Sequence, residues 1–180
     1  MGKLYFVTTP IGNLEDITLR ALRVLKEVSL IAAEDTRETR KLLNHHSIKT
    51  SLISYYEKNK FSRLPQILKT LEDEDVALVS EAGMPGLNDP GYELVCAAIK
   101  AKIEIIVIPG PSAILATLSI SGLPTSSFLF KGFLPRRKSE RKTLLESLRS
   151  EKATLVFFEA PHRLRDSLSN IVEVLGDRKI

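Results

Sequence analysis

The chain has 180 residues, 43% of them hydrophobic and 27% charged, enough for one large domain or two small ones around a sizeable core, and this composition excludes intrinsic disorder. The formal net charge is +4, from 26 basic and 22 acidic residues, too mild to establish nucleic-acid binding by itself. A single cysteine, Cys96, excludes an internal disulfide and a thiolate zinc cluster; no apolar stretch reaches membrane-spanning length and no signal peptide precedes the first strand, so a cytoplasmic protein is expected.

The first predicted strand, near 3–8, carries Tyr5-Phe6-Val7 into a loop, Thr8-Thr9-Pro10-Ile11-Gly12-Asn13. A helix near 16–27 follows, with Ile17, Ala21, Val24, Leu25 and Val28 recurring at three and four. A strand near 29–33 leads to Asp35, placed as an N-cap with Glu38 three residues on, and so to a helix near 36–45. A strand near 50–54 and a helix near 61–73 come next; Leu64, Ile67, Leu68 and Leu71 form the helix's apolar face. The strand near 75–80 breaks on the most Gly/Pro-dense loop, Ser80-Glu81-Ala82-Gly83-Met84-Pro85-Gly86 and then Asp89-Pro90-Gly91. A helix near 90–101 holds Cys96 within Leu94-Val95-Cys96-Ala97-Ala98, which reads as a buried face. The strand near 103–108 breaks on Pro109-Gly110-Pro111-Ser112-Ala113.

Short β-branched runs of this kind are buried strands, and strand–helix alternation implies parallel pairing with right-handed crossovers. Ligands of such sheets bind at the carboxyl ends of the strands. Three Gly/Pro-rich loops following three strands therefore point to one cleft built from all of them. A boundary is predicted at about 110, dividing an α/β lobe of residues 1–110 from a second lobe of residues 111–180. The second has a helix at 112–121, a strand at 127–133, a basic helix at 138–149, a strand at 153–158 and a helix at 162–175. Two strands are thin for an independent sheet, so this lobe is expected to lean on the first or to be incomplete.

The common catalytic signatures are absent. There is no G-x-G-x-x-G after the first strand, no P-loop, no H-E-x-x-H and no G-x-S-x-G. His45-His46 are adjacent rather than at helical metal-binding spacing, so no metal is expected. Without a phosphate cradle, the cleft is expected to hold a group lacking pyrophosphate. Basic residues gather at Arg136, Arg137, Lys138, Arg141 and Lys142, at Arg37, Arg40 and Lys41, and around Tyr55-Tyr56 with Lys58 and Lys60. Such groups suit single-stranded RNA, and equally a solvated helix face, given Glu140 and Glu146.

Seven short motifs occur in order: Thr9-Pro10-Ile11-Gly12-Asn13-Leu14, Ala33-Glu34-Asp35-Thr36-Arg37, Asp89-Pro90-Gly91-Tyr92-Glu93-Leu94, Pro109-Gly110-Pro111-Ser112-Ala113, Ser121-Gly122-Leu123-Pro124, Gly132-Phe133-Leu134-Pro135 and Phe158-Glu159-Ala160-Pro161-His162-Arg163. Together they resemble the bacterial 16S rRNA (cytidine-2′-O)-methyltransferase family known as RsmI, of the tetrapyrrole-methylase fold. The resemblance implies a two-lobed α/β protein, parallel-rich in its first lobe, with S-adenosyl-L-methionine between the lobes. It implies methyl transfer to a cytidine ribose 2′-hydroxyl in small-subunit 16S rRNA, no metal, no membrane and a homodimer. It places Pro10, Ala82, Gly83, Met84, Leu87, Ser112 and Ala113 at the cofactor, and Glu159 where the second lobe meets it. Glu34, Asp35 and Glu159 become candidates for the base. Arg37 and Arg163, with the Arg136, Arg137, Lys138, Arg141 group, become RNA contacts. The family's second loop usually reads Ser-Asp-Ala-Gly-Thr-Pro, where this chain has Ser80-Glu81-Ala82-Gly83-Met84-Pro85. Family members also continue past the position of Ile180 through the rest of the second lobe and a small helical domain. Two other functions remain open: methylation of a small molecule such as a tetrapyrrole, and a catalytically silent RNA-binding remnant.

Overall fold

A computed structural model describes all residues, Met1–Ile180. They divide into two compact units, Met1–Ala113 and Ile114–Ile180.

In the first unit, β1 (Lys3–Val7), β2 (Leu30–Ala33), β3 (Ser51–Ser54), β4 (Val76–Val79) and β5 (Glu104–Ile108) form one sheet in the order β3-β2-β4-β1-β5. Every pairing is parallel. Successive side chains alternate between the two faces. Val7, Ile31, Ala33, Ala77 and Val79 pack with α1 (Leu19–Glu27) and α2 (Thr36–His45). Leu4, Phe6, Ala32, Val76 and Leu78 pack with α3 (Lys60–Thr70) and α4 (Tyr92–Lys100). A strand buried on both sides must be apolar throughout, which is why β4, Val-Ala-Leu-Val, is buried at all four positions.

Local chemistry fixes the helix starts. The Thr18 hydroxyl accepts from the Ala21 amide at 3.0 Å and opens α1, and the Asp35 carboxylate accepts from the Arg37 amide at 2.8 Å and opens α2. α4 carries a correction: it buries Leu94 and Ala98, but Cys96 is exposed, not on the buried face expected. With Val95, Cys96 and Ala97 all apolar, periodicity could not rank the sides of this helix.

The chain leaves β1 toward the face of α1 and leaves β4 toward the face of α4. Neighbouring strands whose exits diverge in this way open a crevice at their carboxyl ends.

The second unit contains α5 (Ala113–Ile120) from its second residue on, β6 (Phe128–Phe133), α6 (Lys138–Ser147), β7 (Thr154–Phe158) and α7 (Leu164–Leu175). β6 and β7 form a two-stranded parallel sheet. Leu134, Leu145 and Val174 form its buried cluster, with Phe157, Ile171 and Leu175 packed against them.

Candidate functional site

The loops after β1, β4 and β5 meet. β4, β1 and β5 are neighbours in a parallel sheet, so their exits share one edge. The Thr9 amide donates to the Gly83 carbonyl at 3.0 Å, and the Gly83 amide returns a bond to the Thr9 carbonyl at 3.1 Å. This antiparallel bridge ties the first two loops across the crevice. The Thr8 hydroxyl donates to the Ile108 carbonyl at 2.9 Å and reaches the Met84 sulfur at 3.3 Å, linking all three loops through one side chain. At Gly110 a Cβ would stand 3.0 Å from the Cβ of Thr8, so the third loop approaches the first more closely than a side chain would fit without a shift.

Gly83 has φ +83°, a left-handed conformation that disfavours side chains. A Cβ there would lie 3.5 Å from Ile11 Cγ2 and 4.0 Å from the Pro111 carbonyl oxygen, so the first and third loops flank this residue. Of the expected cofactor residues, Pro10 and Gly83 are buried, Met84 and Ser112 are partly buried, and Ala82, Leu87 and Ala113 are exposed. Thr8, Thr9, Ser80 and Gly110, which the sequence reading did not single out, fasten these loops to one another. A small hollow of about 210 Å³ adjoins them, lined by Thr9, Pro10, Ser80 and Glu81 of the loops and by Leu14, Thr39, Leu42 and the Glu38–Lys41 ion pair.

The donor set suits a sulfonium ligand. Residues 8–13, 80–87 and 109–113 include no lysine or arginine and one acid, Glu81. Pro10, Ile11, Met84 and Leu87 supply apolar surface, and the remaining polar groups are mainly backbone. The loops themselves offer a pyrophosphate no cationic partner, and Lys41 in the adjoining hollow is already paired with Glu38.

Glu34 continues β2 at the same edge; its amide reaches the Val79 carbonyl at 3.4 Å, which places it beside Ser80. Burial pushes its carboxyl above the ordinary range, and the negative charge of Asp89 adds to this. Asp89 is itself raised by burial, against a hydrogen bond from Ser80. The Asp89-Pro90-Gly91 sequence reads as a turn, and only the fold sets its acid beside Glu34. Asp35 has the opposite character: Arg37 binds its carboxylate at 2.7 and 3.2 Å and holds it well below the carboxylate range.

Glu159 lies in the second unit with its carboxylate fully engaged. It accepts from the Ala160 amide at 2.8 Å, from Arg163 Nε at 2.7 Å and Nη2, and from the Ser167 hydroxyl. Burial alone would raise its carboxyl, but these bonds outweigh it and hold the group low. Arg163 also donates to the Leu134 carbonyl at 2.9 Å and is mostly covered.

The basic cluster divides. Arg136, Arg137 and Lys138 are exposed, with Arg137 paired to Glu140 at 3.2 Å. Arg141 departs from the expectation of an RNA-facing residue: it is 5% exposed and holds Asn170 Oδ1 at 2.9 Å and the Pro135 carbonyl at 3.1 Å. Tyr55 is wholly buried, and Lys60 is buried against Glu57 and Glu93, so neither offers the stacking or phosphate contact expected of that segment.

Comparison with known proteins gives a consistent set of relatives. The family model for tetrapyrrole (corrin/porphyrin) methylases matches residues 3–179. Ribosomal RNA small subunit methyltransferase I of Halalkalibacterium halodurans is 55% identical over 99% of this chain and 62% of its own length. The protein of the same name from Thermotoga maritima is 52% identical over all of this chain and 81% of its own length; that of Escherichia coli O157:H7 is 47% identical over 99% and 63%. The chain thus spans less than two thirds of the first and third of these. Among solved structures, the uroporphyrin-III-C-methyltransferase of Thermus thermophilus superposes with a TM-score of 0.64 at 25% identity, covering 97% of this chain and 73% of that one.

Proposed function

We propose, since this chain belongs to the tetrapyrrole methylase family and within it to the ribosomal RNA small subunit methyltransferase I group, that it serves S-adenosyl-L-methionine-dependent 2′-O-methylation of a cytidine ribose in 16S rRNA. The observation that carries this reading is the knot of three cation-free loops joined through Thr8, Thr9 and Gly83 at the carboxyl ends of β1, β4 and β5.

Pro10, Gly83, Met84, Leu87, Ser112 and the neighbouring Ala82 and Ala113 would hold the cofactor, which supplies an electrophilic methyl group on a sulfonium. The chain's own task is alignment and proton removal. Loops fastened to one another before binding lose little freedom on binding, so the reacting groups are pre-positioned. Glu34 is the base of this proposal. A carboxylate raised by burial accepts a proton from a ribose hydroxyl more readily than Asp35 or Glu159, whose lone pairs are already engaged and whose acidity is increased. Arg136, Arg137 and Lys138 are exposed cations suited to rRNA phosphates. The homodimer and the cytoplasmic location belong to the same proposal; no helix is long and apolar enough to cross a membrane.

The test has two parts. S-Adenosylhomocysteine should raise the unfolding temperature of the chain in a saturable way. Tritiated methyl transfer to small subunits lacking the mark should yield one alkali-resistant cytidine linkage. Absence of any shift at saturating ligand overturns the cofactor assignment. Methyl transfer to a porphyrin precursor in place of rRNA would overturn the substrate.

A further inference from the structure

The first unit carries a large open groove away from the loops just described. Its volume is about 640 Å³, and it wraps the outer edge of β3. Thr36, Arg37 and Arg40 line it from α2 on one face of the sheet, and Arg63 and Gln66 line it from α3 on the other. Leu52, Ile53 and Ser54 of β3 form the floor. No acidic residue lines it; Arg37 is paired with Asp35 just outside the lining, and Arg40 and Arg63 face the trough with no carboxylate partner. Arg40 is exposed and has no internal partner. Arg63 meets only the neutral Gln66 side chain, at 3.2 Å. Arginine left without carboxylates in a groove is a site for bidentate anion binding.

The groove is also continuous with the catalytic end of the sheet. Thr36 and Arg37 open α2 immediately after Glu34 and Asp35, and Arg37 is bonded to Asp35. A chain bound along β3 would therefore be led toward Glu34.

We propose that this β3-edge groove is a docking surface for the single-stranded phosphate backbone of the RNA substrate, gripped by Arg40 and Arg63 and delivered past Arg37. The proposal rests on the methyltransferase reading for its choice of partner. The charge of the lining favours RNA over the other occupant that an open strand edge admits, an added peptide strand, because backbone pairing needs no arginine.

The experiment titrates a labelled single-stranded oligoribonucleotide by fluorescence anisotropy. It compares the unmodified chain with Arg40→Gln, Arg63→Gln and the double variant, at salt from about 50 to 200 mM. Each substitution should weaken binding several-fold, and the double variant about tenfold. The slope of log affinity against log salt should fall by about 0.7 for each arginine removed. S-Adenosylhomocysteine affinity and unfolding temperature, measured on the same samples, should not change. Unaltered RNA affinity and slope in the double variant overturn the proposal, as does failure of the unmodified chain to bind RNA at low salt. Equal arginine-dependent binding of polyglutamate assigns the groove to an acidic protein instead, and overturns it too. Failure of S-adenosylhomocysteine to bind defeats the methyltransferase reading, while the RNA titration still decides the groove.

Discussion

Gly83 shows how one residue type is fixed by backbone conformation rather than by space. A Cβ at this position would make only ordinary contact with Ile11, so crowding does not explain the glycine. Its left-handed φ does, because a side chain there costs roughly 1–2 kcal/mol. Gly83→Ala should therefore lower stability by about that amount and loosen the bridge to Thr9, weakening S-adenosylhomocysteine binding; calorimetric titration and thermal melting check both. Glu34 yields a different kind of expectation. Its carboxyl is raised in the fold, so the folded protein holds that proton more tightly than the unfolded chain does. The associated stability is complete below the ordinary carboxylate range and is lost as pH rises through the elevated value. Glu34→Gln should consequently stabilise the protein at neutral pH, with the gain vanishing near pH 4, while abolishing most methyl transfer. Melting curves across pH, paired with transfer assays, would expose a loss of stability at neutral pH, contrary to this expectation.

Individual elements were legible where one local rule governed them. The Asp35 cap sets the start of α2, and the helix runs Thr36–His45 as its sequence predicts. The inner strands β2 and β4 were legible because burial on both faces demands uninterrupted apolar runs. α4 and α6 were harder to read. α4 is apolar nearly all round, so Cys96 was assigned to the wrong side. In α6 the run Lys138-Ser139-Glu140-Arg141-Lys142 looks uniformly solvated, yet Arg141 turns inward to Asn170, 29 residues further along the chain. No local pattern announces a partner that distant. The Glu159–Arg163 pair, by contrast, is local, four residues apart between the end of β7 and the start of α7, and it is nearly buried where Glu159 was a candidate base and Arg163 a candidate RNA contact. Removing one member of such a pair strands a charge and costs roughly 3–5 kcal/mol. Glu159→Gln should thus lower the melting temperature of the second unit sharply. If transfer per folded molecule is retained, the residue holds the fold; a loss of turnover without loss of stability would return it to the chemistry.

At the level of the whole molecule, the two units differ in how much core they own. The first has apolar clusters on both faces of a five-stranded sheet; the second has two strands and a three-residue buried cluster. Amide hydrogen exchange should run slowest in β1, β2 and β4, and markedly faster in β6 and β7; equal protection in both units would contradict this ranking. The candidate site follows the same logic of scale. The sequence indicated that three loops should meet, because all three follow the carboxyl ends of parallel strands, where ligands of such sheets bind. It did not indicate the fastening by Thr8 and Thr9, nor the approach of Asp89 to Glu34, since both depend on how strands and loops some fifty to a hundred positions apart are brought together.

β3, β5 and both margins of the β6–β7 pair have no hydrogen-bonded strand beyond them. Rows of unsatisfied amides and carbonyls are adhesive toward any extended polypeptide, including another copy of themselves. Lys131, exposed in the middle of β6, sets a charge that discourages such stacking on one margin. Neutralising it should make concentrated solutions turn cloudy on gentle warming before any helix melts, a failure rooted in colloidal behaviour rather than in the folding equilibrium.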